Sequence, residues 1–188
     1  MSLEKIKETL GEKFSRDADF LDIIITDLNL DKKSKVLDVG TGWGFMAITL
    51  ALHGYNVITG EPENAKWADW KSRAKLVDVE DKIIFKPFYA ENLPFENESF
   101  DAIFLYTSLH HIEDKVRAIN EMLRVMKHDG YLIIIELTEE GVEQIRKHNI
   151  NHPDAVNAKD TIKKFNLEVS VKESRYLNAY FCKQKIQF

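Results

Sequence analysis

The stretch that most constrains this chain is Lys35 to Gly44, KVLDVGTGWG, where an apolar run carrying one acid breaks into glycines at alternate positions. Val36, Leu37 and Val39 read as a short buried strand around Asp38, and Gly40, Gly42 and Gly44 stop it in a tight loop. Helical spacing resumes from Phe45 to His53. A strand, a glycine turn and a helix N-terminus in that order build a small-molecule site. Glycine lets the backbone approach a ligand, and the first helical N–H groups have no partner inside the helix.

The rest of the chain supplies a frame for that site. Leu3, Ile6 and Leu10 share one helix face up to Gly11, and a second helix spans Phe14 to Leu30; together they predict a helical cover over residues 1–30. Strands are predicted at Tyr55–Thr59, Lys82–Lys86, Phe100–Tyr106 and Tyr131–Leu137. Between them a helix should run from Pro62 through Val77, and another from Ile112 to Met126, stopped by Asp129 and Gly130. The cations of that second helix fall on its solvated face. A variable insert follows at 138–154, then a short helix from Ala155 to Phe165 and an antiparallel pair, Leu167–Val171 with Arg175–Cys182. Alternating strands and helices predict an α/β fold. The expected form is a doubly wound, mostly parallel seven-stranded sheet with a C-terminal antiparallel hairpin, in a single domain over residues 1–188.

Composition narrows the partners. At 44% hydrophobic and 30% charged residues with a net charge of −5, the chain suits a soluble domain and argues against neutralising a phosphate backbone, so no nucleic-acid partner is expected. Acids throughout the first residues and the lack of any run approaching ~18 apolar residues predict no membrane partner and a cytoplasmic location. Cys182 is the single cysteine, which leaves no internal disulfide and reads as a packed residue.

Parallel sheets of this kind bind ligands outside the carboxyl ends of their strands, where the loops at 40–44, 60–63, 88–92 and 106–111 should converge. Glu61 ends the second strand about 20 residues after Gly40, the place of an acid that accepts from ribose hydroxyls. Phe45 stands where a dinucleotide fingerprint wants Gly or Ala, and Asp38 would repel a pyrophosphate while attracting a cationic amino or sulfonium group. This charge pattern points to S-adenosylmethionine.

VLDVGTGWG, Glu61, ENLPFENESFDAIFLYTSLHHI and YLIIIE occur in the order and spacing of a known family. The span from Ser34 to Leu137 resembles the class I S-adenosylmethionine-dependent methyltransferases, in their small-molecule group related to ubiquinone and menaquinone C-methylases. The resemblance implies a Rossmann-like methyltransferase fold and methyl transfer to a small molecule, with release of S-adenosylhomocysteine. By the same resemblance Gly40 and Gly42 line the methionine portion with Asp38 near its amino group, Glu61 takes the ribose hydroxyls and Pro62 packs on the adenine. Ala90 and Glu91 border the adenine edge, and Tyr106 and Thr107 flank the carboxylate and the reactive methyl. Tyr89 departs from the family, which usually carries an acid there.

Other residues admit two interpretations. His110, His111 and Tyr106 are candidate catalytic groups, yet the histidine pair recurs in the family whatever the substrate, and no third ligand for a metal is evident. No metal is therefore expected. Trp43, Trp67 and Trp70 suit either an aromatic cage for a cation or plain packing. Phe14, Asp17 and Phe20 are candidates for a substrate lid. Residues 106–109, Tyr-Thr-Ser-Leu, differ from the Asn/Asp-Pro-Pro-aromatic motif of enzymes that methylate amino groups of DNA or protein glutamine. Two other classes fit less of this pattern: a non-catalytic S-adenosylmethionine-binding regulatory module, and a nucleotide-dependent oxidoreductase, which Phe45 and the C-terminal hairpin disfavour. Neither the N-terminal helices nor the insert carries an acceptor signature, and the short C-terminal half predicts a pocket that is open or completed by a second subunit in a homodimer.

Overall fold

The strands are β1 (Val36–Val39), β2 (Val57–Gly60), β3 (Ile83–Phe85), β4 (Phe100–Tyr106), β5 (Met126–Leu137), β6 (Leu167–Glu173) and β7 (Leu177–Gln184). The computed structural model describes residues 1–65 and 69–185. Among these residues the seven strands make one sheet in the order β3-β2-β1-β4-β5-β7-β6. β1 with β2, β2 with β3 and β4 with β5 run parallel, whereas β7 runs antiparallel to both β5 and β6. The predicted mostly parallel sheet with a C-terminal hairpin is thus the observed one. By contact density the chain divides into two units, Met1–Phe88 and Tyr89–Phe188.

In the first unit, Gly11 at φ 86° ends α1 (Leu3–Leu10) and starts α2 (Glu12–Leu28). α2 buries Phe14, Ala18, Leu21, Ile24 and Ile25, a stripe at helical spacing. α3 (Phe45–Leu52) is buried from Phe45 through Ala51, which explains why its sequence is apolar on every side. His53 Nε2 lies 2.9 Å from Asp22 Oδ1, which ties α3 to α2. The helix expected from Pro62 starts later, as α4 (Trp70–Leu76), because Asp69 accepts the Ser72 N–H at 3.0 Å and caps it there. Pro62 instead opens a turn whose carbonyl accepts the Ala65 N–H at 2.9 Å. Trp67 lies outside the described residues.

In the second unit, Asp114 caps α5 (Lys115–Val125), whose inner face is Ala118, Ile119, Met122 and Val125. That helix does not run to Asp129 and Gly130 as predicted. Met126 is already extended, and β5 includes both residues. A Cβ on Gly130 would come within 3.0 Å of the Asp101 and Lys127 carbonyls, so its role is close backbone passage and not helix termination. The cations of α5 are also not all solvated. Arg124 donates to the carbonyls of Leu93 and Phe95 at 3.0 and 2.8 Å and pairs with Glu121, which itself accepts the Leu93 N–H at 2.9 Å. The loop before β4 is therefore stitched to α5. α6 (Glu139–Arg146) and α7 (Ala158–Ile162) are capped by Thr138 and Asn157. Cys182 is fully buried, and burial pushes its thiol up to about 12, in keeping with a packed residue.

Candidate cofactor site

β1 and β2 are in register with Asp38 opposite Thr59 and Val39 opposite Gly60. Beyond the ladder, the N–H groups of Gly40 and Thr41 both donate to the Gly60 carbonyl, at 2.9 and 3.3 Å, so the end of β2 holds the start of the glycine loop. Gly40, Gly42 and Gly44 have φ values of 93°, 49° and 79°, a left-handed path that disfavours other residues. Their surroundings differ. A Cβ on Gly44 would stand 2.8 Å from the Trp70 Cβ, whereas one on Gly42 would meet nothing nearer than 4.0 Å and project into open space. Gly44 is needed for packing, and Gly42 leaves room for a ligand.

Below the loop lies Asp38, fully buried. Its Oδ2 accepts from the Thr59 hydroxyl at 2.7 Å, and Thr59 Oγ1 is 2.8 Å from Thr41 Oγ1. Since Thr59 has one proton to give, Thr41 donates to Thr59 and Thr59 to Asp38. Asp38 Oδ1 is buried with no hydrogen-bond partner among the described residues. Burial first, opposed by Thr59 and aided by the nearby Glu61 charge, pushes this carboxyl up to about 8. Glu61, just past β2, has Oε2 3.1 Å from the Gly42 N–H, which donates to it. Burial raises its pKa, against that same hydrogen bond. One acid thus lies under the loop and one beside it. Pro62 is half-buried at the turn that follows.

The other residues assigned by resemblance lie in the second unit. Ala90 is buried, Glu91 half-buried and Tyr89 58% exposed, on a tight turn closed by the Asn92 N–H to the Tyr89 carbonyl at 3.0 Å. Tyr106 ends β4, half-buried, and Thr107 follows at φ 45° with its N–H held by the Ile135 carbonyl at 2.7 Å. A β-branched residue in the left-handed region is strained, which fits a position set by something other than local preference.

The aromatic and lid candidates resolve mostly into packing. Trp70 stacks on Phe85, with ring centroids 6.2 Å apart. Trp43 carries Lys13 Nζ and the Arg73 guanidinium over its ring at 4.5 and 4.3 Å, so the chain's own cations already occupy it. Phe14 is buried edge-on to Phe45 at 5.3 Å, and Asp17 is buried and paired with Arg16. Phe20 is half-buried.

A second cluster was not legible from spacing. His110 and His111 sit in a 3-10 turn after β4, and His152, beyond α6, joins them with ring centroids 4.9 and 5.9 Å away. The His110 side chain is 1% exposed and its Nδ1 lies 2.9 Å from Oε2 of Glu136, equally buried on β5. Glu136 also accepts the Leu109 N–H at 2.7 Å. An acid inside the apolar run YLIIIEL was the available signal for Glu136. Nothing local pointed to His152. His111 is exposed as a residue, yet desolvation of its ring by the packed imidazoles, and their charges, hold it down at about 4; desolvation first also lowers His152.

A parallel α/β sheet with a glycine loop after its first strand and an acid at the end of the second defines a nucleoside-binding protein. The model of the methyltransferase domain family matches residues 37–134, and the chain belongs to that family, the class I S-adenosylmethionine-dependent methyltransferases. It is 32% identical over 108 residues to 27-O-demethylrifamycin SV methyltransferase of Amycolatopsis mediterranei, covering 57% of this chain and 40% of that one. It is 30% identical over 119 residues to the ubiquinone/menaquinone biosynthesis C-methyltransferase UbiE of Methylococcus capsulatus, covering 60% and 47%. The chain therefore spans about half the length, or less, of the curated relatives it matches. Its fold is that of a SAM-dependent methyltransferase from Aquifex aeolicus, with a TM-score of 0.72 over 97% of this chain and 98% of that one at 19% identity.

The first unit fits the family's cofactor. The orphaned Asp38 oxygen has no partner among the described residues, a place that an amino-acid ammonium would fill, and Gly42 leaves space where any side chain would intrude. Glu61 Oε2 is held by the loop, and its carboxylate retains lone pairs for hydroxyl donors.

Proposed function

We propose that this protein binds S-adenosylmethionine and transfers its methyl group to a small-molecule acceptor. The observation that carries the proposal is the buried Asp38 carboxyl, with one oxygen unpartnered among the described residues, beneath a glycine loop that Glu61 braces. When bound, S-adenosylmethionine supplies a methyl already activated by the sulfonium charge, and the acceptor's nucleophile takes it in line as the carbon–sulfur bond breaks, leaving S-adenosylhomocysteine. Asp38 accepts from the amino group and Glu61 from the ribose hydroxyls, while the backbone of Gly40 and Gly42 lets the methionine portion lie close. Motif order supports Pro62, Ala90 and Glu91 as adenine neighbours, and Tyr106 and Thr107 as neighbours of the carboxylate and methyl. The protein's contribution is alignment and exclusion of water; a general base is required only where the nucleophile arrives protonated. The family's small-molecule relatives support an acceptor of that class, and the net charge of −5 speaks against nucleic acid. Among the described residues no helix is long and apolar enough to cross a membrane. The buried single thiol suits a reducing, cytoplasmic setting.

Calorimetry with S-adenosylhomocysteine against NAD tests the cofactor. Saturable binding of S-adenosylhomocysteine alone is expected, and binding of NAD alone would instead support an oxidoreductase. Transfer of a labelled methyl from S-adenosylmethionine to members of a quinol, phenol and amine panel tests the activity. Cofactor binding with no transfer to any of them would support the non-catalytic module.

A further inference from the structure

We propose that His110, His111 and His152 form a binding site for a divalent transition metal of the zinc class. Each residue offers a ring nitrogen, and these three atoms lie within 4.8 Å of one another. The independent observation is at His110. Its side chain is 1% exposed, its Nδ1 is 2.9 Å from Glu136, and its Nε2 is buried with no hydrogen-bond partner among the described residues. The Glu136 carboxylate accepts the Leu109 N–H on Oε1 and the Leu137 N–H on Oε2, so towards His110 it acts as an acceptor and Nδ1 as the donor, which makes Nε2 the ring atom open to a metal. A buried ring nitrogen without a partner is unfavourable unless something takes it. A carboxylate behind a histidine, orienting the ring and raising its basicity, is the outer support that metal-bound imidazoles use.

His152 is set up in the same way. Its Nδ1 is 2.9 Å from the Pro153 carbonyl, an acceptor only, so Nδ1 holds the proton and Nε2 presents a lone pair. The loop that carries it is anchored to α6: Arg146 donates twice to the His152 carbonyl, at 3.0 and 2.7 Å, and once to Asp154 at 2.7 Å. Three imidazole ligands suit zinc, copper, nickel or iron in place of the oxygen-seeking calcium and magnesium. Zinc–nitrogen bonds of ~2.1 Å at tetrahedral angles place ligand nitrogens roughly 3.4 Å apart, so the widest spacing here must close by about an ångström or more. His111, exposed, and the His152 loop can supply that movement, while His110 stays held by Glu136. Three protein ligands leave a position for water or an oxygen or sulfur donor, as in an open zinc site.

The test uses the untagged full chain, stripped with a chelator and titrated with Zn2+ against a chromophoric competitor, and with Co2+ followed by visible absorption. One equivalent is expected to bind with micromolar or tighter affinity, and Co2+ should show the intense bands of a low-coordinate site. Loss of an outer-shell partner alone costs ~10–100-fold in metal affinity. His152→Ala and His111→Ala should therefore each weaken binding by at least ~100-fold, and Arg146→Ala, through His152, by roughly 10-fold. His148→Ala, an exposed histidine of the same segment, should leave it unchanged. Urea unfolding of each variant confirms that it folds. Absence of saturable binding, or affinity that survives His152→Ala, or equal loss in His148→Ala, overturns the assignment. None of these readouts depends on methyl transfer, so the metal site and the proposed activity stand or fall separately.

Discussion

Asp38→Asn isolates the electrostatics beneath the glycine loop. The folded chain holds this carboxyl near 8 against an ordinary value of 3.8, because the group is fully buried, has one unpartnered oxygen among the described residues and faces the Glu61 charge. Between those pH values the native state keeps a proton that the unfolded chain releases. Its contribution is complete below about pH 4 and is lost as pH rises toward 8. Each pH unit in that window should remove up to ~1.4 kcal/mol of wild-type stability, or on the order of 5 kcal/mol in full. Asparagine keeps the acceptor for the Thr59 hydroxyl but does not titrate, so urea unfolding from pH 5 to 9 should show the wild type falling steadily relative to the variant. Binding of S-adenosylhomocysteine adds a second readout. At pH 7 a carboxyl with a pKa of about 8 is mostly protonated, and pairing it with an ammonium releases close to one proton. The wild-type binding enthalpy should then vary with the buffer's ionisation enthalpy, and that of the variant should not. Parallel stability curves for the two proteins would refute the claim that Asp38 is a desolvated, uncompensated acid.

Glu61→Gln should lower affinity for S-adenosylhomocysteine by ~1.5–3 kcal/mol, the worth of hydrogen bonds to a charged acceptor, as read by calorimetry; unchanged affinity would remove Glu61 from the site. Gly42→Ala, with open space at its Cβ position, should cost only about 1 kcal/mol of stability from its φ of 49° while weakening the cofactor analogue at least 10-fold. Gly60→Ala should instead fail to fold or unfold well below the wild-type temperature, because its Cβ would collide with the Lys86 carbonyl and the Phe88 ring. Arg124→Ala strips hydrogen bonds from the loop before β4 and should destabilise by ~1–3 kcal/mol in urea melts, with proteolysis concentrated at residues 93–97.

Local chemistry made most of the frame legible. Period-2 and period-3.6 patterns located most strands and helices within a few residues, and the glycine loop with Glu61 marked the side proposed for the cofactor, since those positions depend on backbone conformation and on neighbours close in sequence. Where a side chain competed with the pattern, sequence alone misplaced the boundary. Asp69 moved the start of α4, and the passage of Gly130 against Asp101 put Met126 to Gly130 into β5 and not α5. Arg124 looked like a solvated helix cation because its partners lie some 30 residues away.

What the sequence by itself determined is the order of elements and the chemistry of the loop, because a buried run, an acid and alternating glycines act through local backbone freedom. The tertiary structure decided what Asp38 is short of, that Gly42 faces open space while Gly44 does not, and that His152 meets His110 and His111 in front of Glu136. Those properties depend on burial and on long-range proximity, which only the packed chain creates.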